Sequence, residues 1–285
     1  MRMALAQFTP MAGDVDGNLS QMQAILRTGA CQHADLVCFP ELCLPGYLLE
    51  PAAYTAGFLA DLARAAETLE QTARERQVRI VYGTAEASAG ALRNVVVITG
   101  PGRARTRYAK THMVQAERIA FTPGNHLVLT ADGIVALGCC YDLAFPGFCA
   151  GLADAGARVL IFPMAWETRR AFVFESIAAA RAVENVAYVV CVNQTGTMGL
   201  TQFHGGSRII DPLGNTLVEM GNTVGLVSAD LDLDWVSQLR ASDDPATYPL
   251  LDDRRPPMPV RRGPSHDIHD PQVSARRWIG HHPAR

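Results

Sequence analysis

Val159-Leu160-Ile161-Phe162 places four apolar residues in a row. A strand with one wet face alternates, whereas an unbroken apolar run belongs to a strand covered on both faces, as in the layers of an α/β fold. The flanking sequence continues the pattern. Before it, residues 134–140 read as a second strand. After it, residues 170–183, rich in alanine with apolar spacings of three and four, read as a helix leading to a strand at 187–192. Nearer the N-terminus, strands are expected at 3–8, 36–39, 79–83 and 95–98, and helices at 18–31 and 58–76. Nearer the C-terminus, Ser207 to Ile210, the turn Asp211-Pro212-Leu213-Gly214-Asn215 and Leu217 to Glu219 read as a hairpin, with a strand following at 226–231. Hairpins among parallel strands predict mixed sheets.

The chain has 285 residues, 48% of them hydrophobic, enough to bury a large core in one domain. From Asp252 onward the composition turns to Asp, Arg, Pro and His without periodicity. This predicts a domain over 1–256 and a C-terminal tail over 257–285, either disordered or laid against a partner subunit. A net charge of −3 with scattered basic residues speaks against nucleic acid or anionic lipid as a partner. The apolar start, Met1 to Phe8, is too short for a secretory segment, and no run is long enough to cross a bilayer. Seven cysteines lack the paired spacing of a disulfide framework or zinc site, so a reducing cytoplasm is expected and no metal.

Three short segments carry candidate chemistry. In Gly138-Cys139-Cys140-Tyr141-Asp142 an apolar strand breaks into a turn. A thiol at such a break is expected to be exposed, near backbone N–H groups that favour a thiolate or hold an oxyanion. Cys139, on the opposite face of the strand, is expected to be core. Ala34 to Glu41 is an apolar strand ending in Pro40-Glu41, and sheet ends are where α/β folds build sites. A solvated loop glutamate is the plain alternative; a general base would need burial to raise its pKa. The third segment is Tyr108-Ala109-Lys110-Thr111-His112. Of 25 basic residues, Lys110 alone is lysine, which points to a need for a compact ammonium rather than a guanidinium there.

In this order and context the three segments resemble the Glu, Lys, Cys triad of the nitrilase superfamily, with Glu41, Lys110 and Cys140 as its members. The likeness continues through Ala180 to Asn185, Asn193-Gln194-Thr195-Gly196 and Gly206 to Gly214, and so covers roughly residues 2 to 256. It implies a four-layer αββα sandwich with two mixed β-sheets, a homodimer or higher homo-oligomer, and no cofactor. It also implies a second glutamate, Glu117, beside the nucleophile, and the backbone N–H of Tyr141 as an oxyanion donor. Tyr47, Phe145 and Trp166 are candidate substrate-pocket walls. Arg169 and Arg170 read first as surface residues at a helix start, with a substrate carboxylate as the alternative.

The reaction implied is hydrolysis of a small amide through a cysteine thioester. Tyr141-Asp142 is similar to the amidase branches, whereas nitrilases usually carry Trp-Glu there; a carbamoyl compound is the nearest substrate rival. One departure stands out: the family usually has glutamate after Phe145-Pro146, and this chain has Gly147. A silent binding protein and an acyltransferase are the alternatives from other classes.

Overall fold

Two β–α–β runs, one in each half of the chain, set the architecture. The computed structural model describes residues 1–242 apart from Ala89. The expected tail, 257–285, and the expected domain end at 256 lie outside the described residues. In chain order the elements are β1 (Arg2–Gln7), α1 (Val15–Leu26), β2 (Leu36–Cys38), α2 (Ala56–Arg76), β3 (Arg79–Ser88), β4 (Ala91–Gly100) and β5 (Arg103–Ala109). There follow α3 (Glu117–Ala120), β6 (Val128–Leu129), β7 (Val135–Leu137), α4 (Pro146–Asp154), β8 (Val159–Met164), α5 (Ala171–Asn185) and β9 (Tyr188–Asn193). The last are β10 (Thr195–Met198), β11 (Thr201–His204), β12 (Arg208–Ile210), β13 (Thr216–Glu219), β14 (Gly225–Asp230) and α6 (Leu233–Arg240).

The first sheet has the order β14-β1-β2-β3-β4-β5 and the second β13-β12-β9-β8-β7-β6; β10 and β11 form a small ribbon. Each large sheet has three parallel strands at its centre, β1-β2-β3 and β7-β8-β9, flanked by antiparallel ones. Both are therefore mixed, and the second is built around Val159–Phe162.

Alternation in the first sheet sorts its residues between two cores. Ile80, Tyr82, Val95 and Val97 pack with Leu62 and Leu69 of α2, while Val81, Val96, Ile98 and Tyr108 join the core that contains β8 and β9. The same second core takes in Phe174 and Ala178 of α5 and Leu152 of α4. Helices, sheet, sheet and helices thus form the αββα layers. Gln7, fully buried at the end of β1, ties the sheets together: its amide nitrogen donates to the carbonyls of Gly221 and Thr223, each at 2.7 Å. Its amide oxygen accepts from the backbone N–H of Ser207 at 3.0 Å and the Ser207 hydroxyl at 2.7 Å.

Helix starts differ from the sequence expectation because side-chain caps sit upstream of the apolar pattern. The Asp14 carboxylate accepts the Gly17 N–H, so α1 begins at Val15 rather than 18 and ends at Leu26; the Thr55 hydroxyl accepts the Phe58 N–H, so α2 begins at Ala56. The strand expected at 134–140 is only Val135–Leu137. Gly138 meets the Phe162 ring so closely that a Cβ would lie 2.3 Å from it, and Cys140 adopts a left-handed φ of 45° that no strand tolerates.

Candidate active site

The carboxylate of Glu41 is delivered by the turn after β2. The Phe39 N–H donates to Val81 and the Gly83 N–H to Pro40, drawing the Glu41-Leu42 backbone onto β3. A Cβ on Gly83 would lie 2.2 Å from the Leu42 nitrogen, so this approach requires glycine. Glu41 is fully buried; its Oε1 accepts from the Lys110 ammonium at 2.7 Å and from the Asn94 amide at 2.7 Å. Its other oxygen, Oε2, makes no hydrogen bond of normal geometry among the described residues, with the Cys139 thiol close enough to favour the charged carboxylate.

Lys110, just past β5, is 1% exposed. Its ammonium also donates to Glu117 Oε1 at 2.6 Å, so one cation lies between two carboxylates. Glu117 is fixed in turn by the Tyr47 hydroxyl at 3.2 Å and by the Val114 N–H, which donates to Oε2 at 3.1 Å. Backbone bonds lock the lysine itself: its N–H donates to Asn94 and its carbonyl accepts from Gly124.

Electrostatics divides the two carboxylates. Burial pushes Glu41 up, but the adjacent ammonium outweighs it and holds Glu41 below the usual glutamate value. For Glu117, burial prevails, and with the negative charge of Glu41 it pushes the group up to about 7 against the pull of Lys110. Lys110 is held well above the ordinary lysine value: burial lowers it, and the two carboxylates more than compensate. The group with the raised pKa is therefore Glu117, not Glu41 as the sequence suggested.

Cys140 opens a single turn of 3-10 helix, Cys140–Ala144, and is 8% exposed. The expectation of an exposed, thiolate-favouring cysteine is corrected: burial, and next the negative charge of Glu41, push its thiol well above the normal cysteine range, opposed by Lys110. Cys139 is buried in the core, as expected.

Cys140 opens onto a cavity of about 900 Å³ whose walls include Lys110, Glu117, Tyr47, Tyr141 and Trp166. The structure thus gathers Lys110, Glu117, Cys140, Tyr141, Tyr47 and Trp166 around one space; Glu41 does not line it, being fully buried and joined to it through the Lys110 ammonium. Phe145, expected as a wall, is absent from the lining; it stacks on the His112 ring at 3.8 Å and meets Tyr141 edge-on. At the exposed Gly147 a Cβ would meet open space, so the missing glutamate side chain leaves no hole. The turn beside it is held instead by Arg181, which donates to the carbonyls of Leu143 and Ala144.

Asn94 escapes the motif reading, and Asp142, quoted there beside the cysteine, does not show there as the joint between segments. Asn94 is a buried polar side chain in an apolar strand, a signal available in Arg93-Asn94-Val95. Asp142 is fully buried and accepts from the Tyr108 hydroxyl (2.6 Å), the Cys139 N–H (2.9 Å), the Thr111 hydroxyl (2.9 Å) and the His112 N–H (2.9 Å). The His112 ring nitrogen Nδ1 lies 2.8 Å from it. One carboxylate thus binds the lysine segment to the cysteine turn. Among the described residues no group of three or more His, Cys, Asp or Glu is placed to hold a metal, and no helix is long and apolar enough to cross a membrane.

An αββα sandwich with a buried lysine between two glutamates, opening beside a cysteine, defines an amidase-like hydrolase of carbon–nitrogen bonds. The comparisons agree. The family model for carbon-nitrogen hydrolases matches residues 2–241, and the chain belongs to that family, within the nitrilase superfamily. It is 34% identical to an (R)-stereoselective amidase of a Pseudomonas species over 90% of this chain and 92% of the relative. It is 30% identical to a 2-oxoglutaramate amidase of Bacillus subtilis over 87% and 95%. Among solved structures, the NitN amidase of Nesterenkonia sp. AN1 superposes with a TM-score of 0.77 at 27% identity, covering 90% of this chain and 96% of that one. A mutant of the same Nesterenkonia amidase, with a TM-score of 0.75 at 27% identity and coverage of 85% and 97%, carries acrylamide added to its active-site cysteine.

Proposed function

We propose that the protein hydrolyses a small amide through a thioester on Cys140. The observation that carries this reading is the Lys110 ammonium held by both Glu41 and Glu117 on the wall of the cavity onto which Cys140 opens. Glu41 is ionised at neutral pH and has an oxygen without a hydrogen bond of normal geometry, while the thiol keeps its proton. Proton transfer from Cys140 to Glu41 therefore accompanies attack on the amide carbon rather than preceding it. The tetrahedral oxyanion is met by Lys110 and by the backbone N–H of Tyr141. Glu41 passes its proton to the departing amine, the thioester forms, and Glu41 then takes a proton from the water that cleaves it. Glu117, holding a proton near neutrality, limits the negative charge around the oxyanion.

Ammonia release from aliphatic amides, ω-amides, carbamoyl amines and the matching nitriles tests the reading. Wild type is expected to release ammonia from amides faster than from nitriles, and Cys140→Ala to release none while keeping its circular dichroism spectrum. Turnover by that variant would sink the assignment of the nucleophile. We further propose, on the family resemblance, a homodimer or higher homo-oligomer and, on the unpaired spacing of the seven cysteines, a reducing cytoplasm.

A further inference from the structure

Asn94 is the polar exception on one face of β4. The strand reads Asn94-Val95-Val96-Val97-Ile98, and its alternate residues Val96 and Ile98 enter the core between the sheets. Asn94 lies on that same face and is fully buried. Its carbonyl continues the pairing of β4 with β5 past Val95 and Ala109, accepting the Lys110 N–H at 2.9 Å. Its register partner on β3 is Ala85, two residues beyond the Gly83 onto which the Glu41 backbone is drawn. One residue is thus bonded to the base through its side chain and to the lysine through its main chain.

The amide of Asn94 is only half used. Nδ2 donates to Glu41 Oε1 at 2.7 Å, whereas Oδ1 is buried without a hydrogen-bond partner among the described residues. An unpaired buried acceptor is destabilising, and an apolar side chain would avoid that cost on a face shared with Val96 and Ile98. An amide held there against stability points to a use for its donor. The use lies in how the acceptor sites of Glu41 are shared out. Each carboxylate oxygen offers two. Oε1 gives one to the Lys110 ammonium and one to the Asn94 amide, each at 2.7 Å, while Oε2 makes no hydrogen bond of normal geometry among the described residues.

Resting on the amidase reading above, we propose that Asn94 is a positioning residue for the base: by filling the second acceptor site of Oε1 it directs the proton of the reaction onto Oε2 of Glu41. As the Cys140 sulfur bonds to the amide carbon, its S–H bond breaks, the proton goes to Oε2, and the carbonyl electron pair moves onto the substrate oxygen. That pair returns when the carbon–nitrogen bond breaks, and Oε2 gives the proton to the leaving nitrogen. Asn94 does not line the cavity and acts only through Glu41.

The test uses Asn94→Leu, close to asparagine in shape but without a donor, and Asn94→Ala should leucine not fit. Both keep the groups that face Glu41, namely Lys110 past β5, Glu117 of α3, and Cys139 and Cys140 after β7. A carboxylate that loses a donor to its charged form takes up its proton at higher pH. The acidic limb of kcat/KM for a simple aliphatic amide is therefore expected to move up by about one pH unit. With it, kcat is expected to fall by about tenfold at unchanged KM, and Tm to equal or exceed that of wild type. The rate of Cys140 alkylation by iodoacetamide, read by mass spectrometry of its peptide, should show the same upward move without any need for turnover. An acidic limb that stays in place in both readouts would overturn the inference. So would a Tm lower by several degrees at wild-type kcat, or failure of both variants to fold, since either makes the amide purely structural. Should wild type release ammonia from no amide while the alkylation limb still moves, the positioning of Glu41 by Asn94 stands and the amidase reading falls.

Discussion

At the scale of single residues, Glu117 is the most consequential titrating group. Its folded pKa of about 7 lies above its ordinary value of 4.5, so between those values the folded protein holds a proton that the unfolded chain has released. Stability from this group falls as pH rises through that window, and the loss is complete above it. Glu117→Gln removes the dependence. Its Tm relative to wild type is expected to climb between about pH 4.5 and about pH 7 and then level off, in thermal scans across pH. A difference independent of pH would show that Glu117 is not protonated in the fold. The family resemblance names this residue in the sequence, but its own neighbours do not. A glutamate between Ala116 and Arg118 has the local appearance of a surface charge; only the approach of Lys110 and Tyr47 makes it a buried member of a coupled set.

At the scale of elements, the site depends on two segments from different sheets keeping their register. Tyr108, Thr111 and His112 continue from β5 in the first sheet, Cys139 follows β7 in the second, and Asp142 binds both. Asp142→Asn keeps the shape but turns an amide N–H₂ toward donors that need an acceptor. Unfolding in urea is expected to show a loss of about 2–4 kcal/mol. Steady-state assays are expected to show kcat lower by about ten- to hundredfold, since the lysine and the cysteine would drift apart. Full activity with unchanged stability would remove Asp142 from this role. The strands were legible wherever burial on both faces left an unbroken apolar run, as in Val159–Phe162. Ends were not, because α1 and α2 start at the caps Asp14 and Thr55, ahead of their apolar stripes. Nor was the wall: the Phe145 ring is drawn to the His112 imidazole, a partner separated from it in sequence by more than thirty residues.

At the scale of the whole molecule, Gln7 joins the two sheets across two hundred residues of sequence. Gln7→Ala would leave the buried Ser207 hydroxyl and N–H, and the carbonyls of Gly221 and Thr223, short of partners. A loss of about 2–4 kcal/mol is expected in equilibrium denaturation. If the loss is negligible, the interface between sheets rests on apolar packing alone.

The enclosure of Lys110 has a use outside catalysis. The sequence holds one lysine, and the folded protein keeps its amine 1% exposed. Acylating reagents aimed at lysine ε-amines should therefore leave the native chain unmodified at Lys110 and add one group there only after the fold opens. Mass spectrometry of the peptide containing Lys110, followed over time in dilute denaturant, would then count opening events at the centre of the site, with a reporter that the protein supplies itself.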